Sequence, residues 1–286
     1  MAHPMTMQDK DSIAPIMGIS RHRLSTDGRG ITTLVGLHGC PLDCRYCLND
    51  KCHTPDGIWK YMSPQELYDE VAKDDIYYRS TGGGITFGGG EPALHSQYIE
   101  QFAQLNKYKW NITLETSLNA PTRHIERLVH VINDYIIDIK SLNSTIYTLY
   151  TGKETDAVVN NLHYLISCGK SAHITIRTPL IPGYNTEKDV SESVEKLRAM
   201  GLQHLDTFTY HINPAHHHSH AANGKRGKST CNVLKRIRSI IADANHIAYE
   251  PTACPHTLCT TGNCPKCEQE LAWLTQQIYD MKNPLL

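Results

Sequence analysis

Two groups of closely spaced cysteines are the residues in this sequence whose type and spacing indicate chemistry. The chain has 286 residues and 10 cysteines. The first group has the spacing C-x3-C-x2-C and consists of Cys40, Cys44 and Cys47. The second has the spacing C-x4-C-x4-C-x2-C and consists of Cys254, Cys259, Cys264 and Cys267. Thiols that are kept reduced and clustered in this way are typical of metal sites. We therefore predict two thiolate metal sites.

The two groups differ in the number of ligands that they supply. Three thiolates leave one iron of a four-iron cubane without a protein ligand, so that iron is free to bind a small molecule. Zinc at the first group needs a fourth ligand, which Cys52 or His53 is close enough in the chain to supply. The second group has four thiolates, which suffice to close either a [4Fe–4S] cluster or a tetrahedral zinc site. Iron–sulfur is the favoured occupant of both groups.

Short β-branched runs alternate with longer helical stretches along the chain. The predicted strands span residues 32–37, 84–87, 111–115, 135–140, 173–177 and 204–211. The predicted helices span residues 63–79, 96–107, 123–132, 155–167 and 186–200, with two more near 230–244 and 268–281. Strands that alternate with helices predict repeated βαβ units, and therefore an α/β fold with a parallel sheet that is open or forms a partial barrel.

Glycines and charged residues lie where these predicted strands end. In chain order they are Cys40, Gly88–Pro92, Glu115, Lys140, Arg177 and His211. Chemistry in α/β folds is concentrated at the carboxyl ends of the strands, so we expect these residues to form one site. Each also has a simpler interpretation. Asp138 and Lys140 are spaced for a local ion pair, and Arg177 has both Glu115 and Asp138 as candidate partners.

The overall composition indicates a cytoplasmic globular protein. Lys and Arg number 28 against 29 Asp and Glu, for a net charge of −1. This balance argues against a nucleic-acid binder, which needs surplus positive charge to displace counterions from phosphates. The chain has neither a long apolar run typical of a membrane span nor the apolar core of a secretory signal. We predict a lead-in at 1–24, a main domain at 25–250, and a cysteine-rich extension with a terminal helix at 251–286.

The first cysteine group resembles the signature of the radical S-adenosylmethionine (SAM) enzymes, which have an aromatic residue, here Tyr46, before the last cysteine. The run from Gly88 to Pro92 is similar to the Gly-Gly-Glu motif of that family, whose backbone and glutamate accept the SAM ammonium. The resemblance implies a partial (β/α)6 TIM-type barrel. It also implies a [4Fe–4S] cluster on the three cysteines, with its open iron chelated by SAM. One electron then splits SAM into methionine and a 5′-deoxyadenosyl radical, so no side chain acts as acid or base.

Within that superfamily, residues 25–211 most resemble the activating enzymes of glycyl radical enzymes. The matching segments include Cys47-Leu48-Asn49, Glu115-Thr116-Ser117, Asp138-Ile139-Lys140 and Tyr210-His211. Arg29 and Leu48 depart from the family pattern, which has proline and histidine there. The resemblance implies a monovalent cation near Glu115. It implies that SAM contacts Tyr46, Cys47, Leu48, Gly89, Gly90, Glu91, Glu115, Ser117, Asp138, Ile139, Lys140, Arg177 and His211.

The same resemblance implies a protein substrate and an electron donor of the flavodoxin or ferredoxin type. The favoured reaction is hydrogen abstraction from a glycine of a glycyl radical enzyme. The alternative is modification of a ribosomally made peptide, for example by epimerisation or cross-linking, since the C-terminal cysteines resemble extensions of such enzymes. A third hypothesis is a metal-binding or electron-transfer protein without catalysis. Cys168 and Cys231 are interpreted as buried thiols, and His216–His220 as part of a loop.

Overall fold

The computed structural model describes residues 12–24, 26–210, 224–253 and 264–282. These residues form one eight-stranded sheet with helices packed on it. The strands are β1 (Ala14–Leu24), β2 (Ile31–Leu37), β3 (Lys60–Met62), β4 (Gly84–Gly89), β5 (Asn111–Thr116), β6 (Asp134–Asp138), β7 (Ile174–Leu180) and β8 (His204–Thr209). The order across the sheet is β3-β1-β2-β4-β5-β6-β7-β8.

The six predicted strands are β2 and β4 to β8, and each neighbouring pair among them is parallel. β1 pairs antiparallel with β2, and β3 pairs antiparallel with β1. The edges of the sheet are therefore β3 and β8, which are not hydrogen-bonded to each other. An open sheet of this kind confirms the prediction of an α/β fold of the partial-barrel type. The parallel strands all end on one side, which is where the site residues gather.

The helices lie close to the predicted positions. They are α1 (Pro64–Val71), α2 (Asp75–Thr81), α3 (Ser96–Asn106), α4 (Thr122–Leu128), α5 (Ser144–Thr151), α6 (Asp156–Ser167), α7 (Glu187–Ala199), α8 (Gly224–Ala244) and α9 (Pro265–Lys282). None of the described helices is long and apolar enough to cross a membrane. α1 begins with a capping box: Ser63 Oγ accepts from the Glu66 amide, and the Glu66 carboxylate accepts from the Ser63 amide.

One predicted helix differs from the structure, and one helix of the structure was not predicted. The single helix expected over 63–79 is divided into α1 and α2 by a 3₁₀ turn at Ala72–Asp74, because Asp74 turns inward to bind side chains of β1. α5 was not predicted, since its serine, threonine and tyrosine residues have weak helix propensity. Its N-terminus is instead capped by Asn143, whose side chain accepts from the Thr145 and Ile146 amides.

β1 is a long strand within the segment predicted as a lead-in. Ala14 and Ile16 are fully buried in the main core, while Arg21 and His22 both bind the buried carboxylate of Asp74. The pairing of β1 with β2 is irregular between Ile16 and Gly18 and between Ser20 and Arg23, which interrupts the alternation that identifies a strand in sequence. The division of the chain into domains stays a prediction.

α8 and α9 pack beside α2 and against β1 and β2. The Arg238 guanidinium of α8 is fully buried and donates to Tyr77 Oη at 2.6 Å, Tyr249 Oη at 2.9 Å and Glu270 Oε2 at 2.9 Å. A small apolar cluster lies alongside and contains Ile31, Tyr77, Leu234 and Leu271. On β1, Arg21 also binds Glu268 of α9 at 2.8 Å. The described part of the C-terminal extension is therefore packed onto the sheet rather than separate from it.

We expect Asp74→Asn to destabilise the protein by about 3 kcal/mol, because removing one partner of a buried ion pair leaves the other charge uncompensated. Burial raises the pKa of Asp74, but hydrogen bonds from Arg21 and His22 outweigh it and hold the pKa below its ordinary value of 3.8. The stability that this carboxylate contributes is thus present above pH 3.8 and lost as the pH falls below it. Urea unfolding at pH 7 and at low pH measures both effects.

The matched control is Asp69→Asn on the exposed face of α1, which we expect to change the free energy of unfolding by less than about 0.5 kcal/mol. Equal stability of the Asp74 and Asp69 variants at pH 7 contradicts the role given to the buried pair.

Candidate active site

The first cysteine group lies on the loop that follows β2, at the carboxyl ends of the parallel strands. Cys40, Cys44 and Cys47 are all partly buried. Backbone hydrogen bonds fasten the loop to the end of α5, from the Asp43 amide to Thr151 O at 2.8 Å and from the Arg45 amide to Tyr150 O at 3.1 Å. The thiols are therefore held by an element that the sequence did not reveal.

Cys52, which the sequence analysis named as a candidate fourth metal ligand, lies beside this group. It is 1% exposed and lies close to the thiols of Cys40 and Cys47. Its proximity lowers the pKa of Cys40 and Cys47, the latter to about 7, whereas burial raises the pKa of Cys44 to about 12. Across the described residues, no three or more ligating side chains surround the position of a single metal ion. A cubane does not require that geometry, because its thiolates bind different irons.

The glycine turn after β4 packs directly against the start of the cysteine loop. The Gly90 amide donates to Leu37 O and the Glu91 amide to Gly39 O, both at 2.8 Å. A Cβ at residue 90 would lie 2.2 Å from Gly39 O, and Gly89 has a φ of +96°, so neither position accepts a side chain. Asn49 Nδ2 donates to Gly89 O at 2.8 Å. The turn and the cysteine loop thus form one unit.

Glu91 is fully buried behind this turn, and protein donors surround its carboxylate. It accepts from the Ala93 amide at 3.1 Å, Thr116 Oγ1 at 2.6 Å, and both the amide and Oγ of Ser117, at 2.9 and 2.6 Å. Burial raises its pKa, and these hydrogen bonds act against the rise. A carboxylate has about four lone-pair sites, so these four donors occupy all of them. Glu91 therefore ties the end of β4 to the end of β5.

Two ion pairs lie at the ends of the next strands. Arg177 of β7 donates to Glu115 Oε1 of β5 at 2.7 Å and to Thr26 O at 3.0 Å. Burial raises the pKa of Glu115, although the charge of Arg177 opposes this. Of the two partners that the sequence left open for Arg177, the ion pair is with Glu115.

The second pair is formed by Asp138 Oδ2 and Lys140 Nζ, 3.2 Å apart, as the spacing predicted. Burial alone lowers the pKa of Lys140, but Asp138 and the nearby Cys44 outweigh it, so the pKa is raised and the amine stays charged. The other oxygen, Asp138 Oδ1, is buried and has no hydrogen-bond partner among the described residues. Between the two, Ile139 is fully buried, and its amide donates to Arg177 O at 3.0 Å.

A group of tyrosines surrounds Tyr46 on the cysteine loop. Its ring lies 6.1 Å from that of Tyr150, 5.6 Å from that of Tyr184 and 6.3 Å from that of Tyr210, with which it stacks. Tyr210 Oη also donates to Tyr46 O. The sequence singled out Tyr46 and Tyr210 but not their meeting with Tyr150 and Tyr184, because the four tyrosines come from separate elements. In contrast, Leu48 is 61% exposed.

Three predicted site residues, His211, Cys254 and Cys259, lie outside the described part of the chain, and so does the predicted loop at His216–His220. Of the tail cysteines that are described, Cys264 and Cys267 are buried together with Cys231, whose predicted burial is confirmed. Cys168 was expected to be buried as well, but it is exposed, because it follows α6 at the surface where the helix ends.

Comparison with known proteins agrees with this geometry. The family profile described as Radical SAM superfamily matches residues 34–197. The pyruvate formate-lyase 2-activating enzyme of Escherichia coli (strain K12) is 28% identical over 233 residues, covering 71% of this chain and 79% of the relative. The pyruvate formate-lyase-activating enzyme of Listeria monocytogenes serovar 1/2a is 30% identical over 204 residues, covering 65% of this chain and 78% of the relative.

Among solved structures, Streptococcus suis SuiB bound to S-adenosylmethionine matches with a TM-score of 0.49 and 13% identity, over 76% of this chain and 48% of that one. The family profile spans more than half of this chain, from β2 through α7, and includes the cysteine loop, the glycine turn and both ion pairs. The protein is therefore a radical SAM enzyme and belongs to the radical SAM superfamily.

Proposed function

We propose that this radical SAM enzyme activates a glycyl radical protein by removing a hydrogen atom from the Cα of one of its glycines. The observation that carries the proposal is the match to two pyruvate formate-lyase activating enzymes, over 71% and 65% of this chain. The open sheet supports it, since β8 lies at its edge and no further strand among the described residues pairs with it.

The residues present fit the [4Fe–4S] cluster and SAM that the family implies. Three thiols are gathered on one loop, a charged lysine lies beside them, and Asp138 Oδ1 is a buried acceptor without a partner. When bound, the cluster and SAM supply one-electron cleavage of the sulfonium, which yields methionine and a 5′-deoxyadenosyl radical. The protein's contribution is to hold and orient the cluster and SAM and to shield them from water.

Each group of side chains has a distinct part in this proposal. Cys40, Cys44 and Cys47 bind the cluster. Arg177 and Lys140 supply positive charge for the SAM carboxylate. Because the Glu91 carboxylate is already used by four donors, the backbone carbonyls of the glycine turn are the acceptors for the SAM ammonium. Glu115 is proposed to lie near a monovalent cation. The remaining proposed SAM contacts are Tyr46, Leu48, Gly89, Gly90, Ser117, Asp138, Ile139 and His211.

The partner reaction balances without an acid or base. One electron from a flavodoxin- or ferredoxin-type donor is used for each SAM that is cleaved. Bound SAM would supply the 5′-carbon that takes the hydrogen atom from the glycine Cα–H bond, which would give 5′-deoxyadenosine and a glycyl radical. We further propose that Cys254, Cys259, Cys264 and Cys267 supply ligands to a second centre, a [4Fe–4S] cluster or zinc.

The decisive experiment reduces the anaerobically reconstituted enzyme in the presence of SAM and candidate partners. A persistent glycine-centred radical in the partner's electron paramagnetic resonance spectrum, formed with 5′-deoxyadenosine, is expected. A mass-shifted or epimerised peptide in its place supports the alternative of peptide modification. If no 5′-deoxyadenosine is released in any mixture, the proposed function is wrong.

We expect Asp138→Asn to weaken SAM binding about tenfold, which corresponds to about 1.4 kcal/mol, the scale of one hydrogen bond to a charged group. The reason is that the change removes the negative charge of Asp138, whose buried Oδ1 has no hydrogen-bond partner among the described residues. Equilibrium binding of SAM to the reconstituted enzyme measures the effect.

Asp134→Asn is the matched control, because Asp134 begins the same strand at its other end and pairs with Arg29 and His173 there. It should leave SAM affinity unchanged. A weaker affinity in both variants assigns the effect to the strand as a whole and removes Asp138 from the proposed contacts.

A further inference from the structure

Asn49 connects the end of the cysteine loop to the glycine turn after β4. It follows Cys47 by two residues, and its Nδ2 donates to Gly89 O at 2.8 Å. Its backbone amide lies close to the Cys47 thiol. The pKa of that thiol is lowered to about 7, first by the nearby Cys52 thiol and then by the Asn49 amide, which together outweigh burial. One residue therefore contacts both a proposed cluster ligand and the proposed site of the SAM ammonium.

The peptide unit between Gly89 and Gly90 is held at both of its polar ends. Its N–H group, on Gly90, donates to Leu37 O at 2.8 Å, and its carbonyl, on Gly89, accepts from Asn49. Gly89 has a φ of +96° and no side chain, so nothing else about the residue restricts how this carbonyl is turned. The N–H end is thus fixed by backbone, whereas the carbonyl end is fixed by a side chain that a substitution can remove.

We propose that Asn49 is a positioning residue for SAM, because it sets the direction of the Gly89 carbonyl relative to the cysteines of the cluster. A carbonyl oxygen has two lone pairs, so the bond from Asn49 leaves one of them for the amino group of SAM. SAM is expected to chelate the open iron, and an acceptor for its amino group must therefore lie at a fixed distance from the cluster. Asn49 meets this requirement, since its backbone follows Cys47 and its side chain holds the carbonyl.

The chemistry of a side-chain amide suits this position. A cationic donor next to the carbonyl would repel the SAM ammonium, and a carboxylate would have no N–H group to donate, whereas an amide donates without carrying charge. Asn49 is also exposed, so its replacement should cost the fold little. An effect of Asn49 on SAM can therefore be measured separately from an effect on folding.

This inference rests on the proposed contact between SAM and the glycine turn, and not on which partner is activated. Its test compares the reconstituted wild type with Asn49→Ala, by equilibrium binding of SAM and by release of 5′-deoxyadenosine with dithionite and no partner. We expect Asn49→Ala to weaken SAM binding and to raise the KM for SAM about 3- to 10-fold, the scale of one hydrogen bond. Its kcat and its iron content should stay at the wild-type level, because the lost interaction is one of binding.

Two further variants complete the test. Asn49→Gln keeps a donating amide and should bind SAM more tightly than Asn49→Ala. Lys51→Ala is the matched control, since Lys51 lies on the same exposed loop and its amine pairs with Asp56, and it should bind SAM like the wild type.

Three results overturn the role of Asn49. They are wild-type SAM affinity in Asn49→Ala, an equal loss in Asn49→Ala and Asn49→Gln, and loss of iron in Asn49→Ala, because the side chain then serves the cysteine loop and not the carbonyl. A wild type that releases 5′-deoxyadenosine but forms a glycyl radical in no partner contradicts the proposed function alone, since the measurements on Asn49 use no partner.

Discussion

Replacing Cys44 with serine is expected to abolish iron binding at the loop after β2 and to reduce release of 5′-deoxyadenosine at least about 1,000-fold, the scale of losing an essential catalytic unit. Cys44 is the thiol of the first group that burial perturbs most, with its pKa raised to about 12. A serine hydroxyl does not replace a thiolate as a ligand to soft metals. Iron and sulfide content, with 5′-deoxyadenosine measured by chromatography, checks both parts.

Two further cysteine variants test whether the loss of iron is specific to the three cysteines of the first group. Cys168→Ser alters an exposed thiol and should keep wild-type iron content and SAM cleavage. Cys52→Ala tests whether the site is closed by a fourth cysteine, because Cys52 is buried against Cys40 and Cys47. We expect it to keep its iron and its activity. Loss of metal in Cys52→Ala, or wild-type iron in Cys44→Ser, contradicts a three-cysteine site.

The strands that carry the site were predictable because their signal is local. β-branched runs that alternate with helical stretches identify β2 and β4 to β8 without any tertiary information. β1 was not predicted as a strand, because Pro15 and Gly18 interrupt its pattern and its arginine and histidine have partners that are distant in sequence. Long-range partners of this kind become visible only after folding.

Prediction of the candidate site from sequence has the same limit. The motif residues could be named from sequence, but their partners could not. Register places Arg177 opposite Asp138 in the neighbouring strand, yet its ion pair is with Glu115, one strand farther. Cys231 gave no signal either, because it lies 33 residues before Cys264 and belongs to a different helix. What sequence lacks is the set of contacts between elements, and these decide which polar atoms remain available to a ligand.

The second large effect is expected at Glu91, where replacement with alanine should destabilise the protein by at least about 5 kcal/mol, since each buried donor left unsatisfied costs about 1–3 kcal/mol. Four donors lose their acceptor at once, on Ala93, Thr116 and Ser117. A loss of this size is comparable to the whole stability of many domains. Denaturant unfolding of the purified variant measures it, and failure to obtain folded protein agrees with it.

Glu91→Gln keeps the prediction testable when the alanine variant does not fold. The amide retains one accepting oxygen, but its NH₂ group faces donors, so the variant should fold and lose about 2 kcal/mol. Because Glu91 positions the glycine turn, SAM affinity should also fall about tenfold, or about 1.4 kcal/mol. Glu126→Ala on the exposed face of α4 is the control and should lie within about 0.5 kcal/mol of wild type. If Glu91→Gln matches that control in both measurements, the carboxylate does not hold the turn, and direct contact with SAM becomes its better explanation.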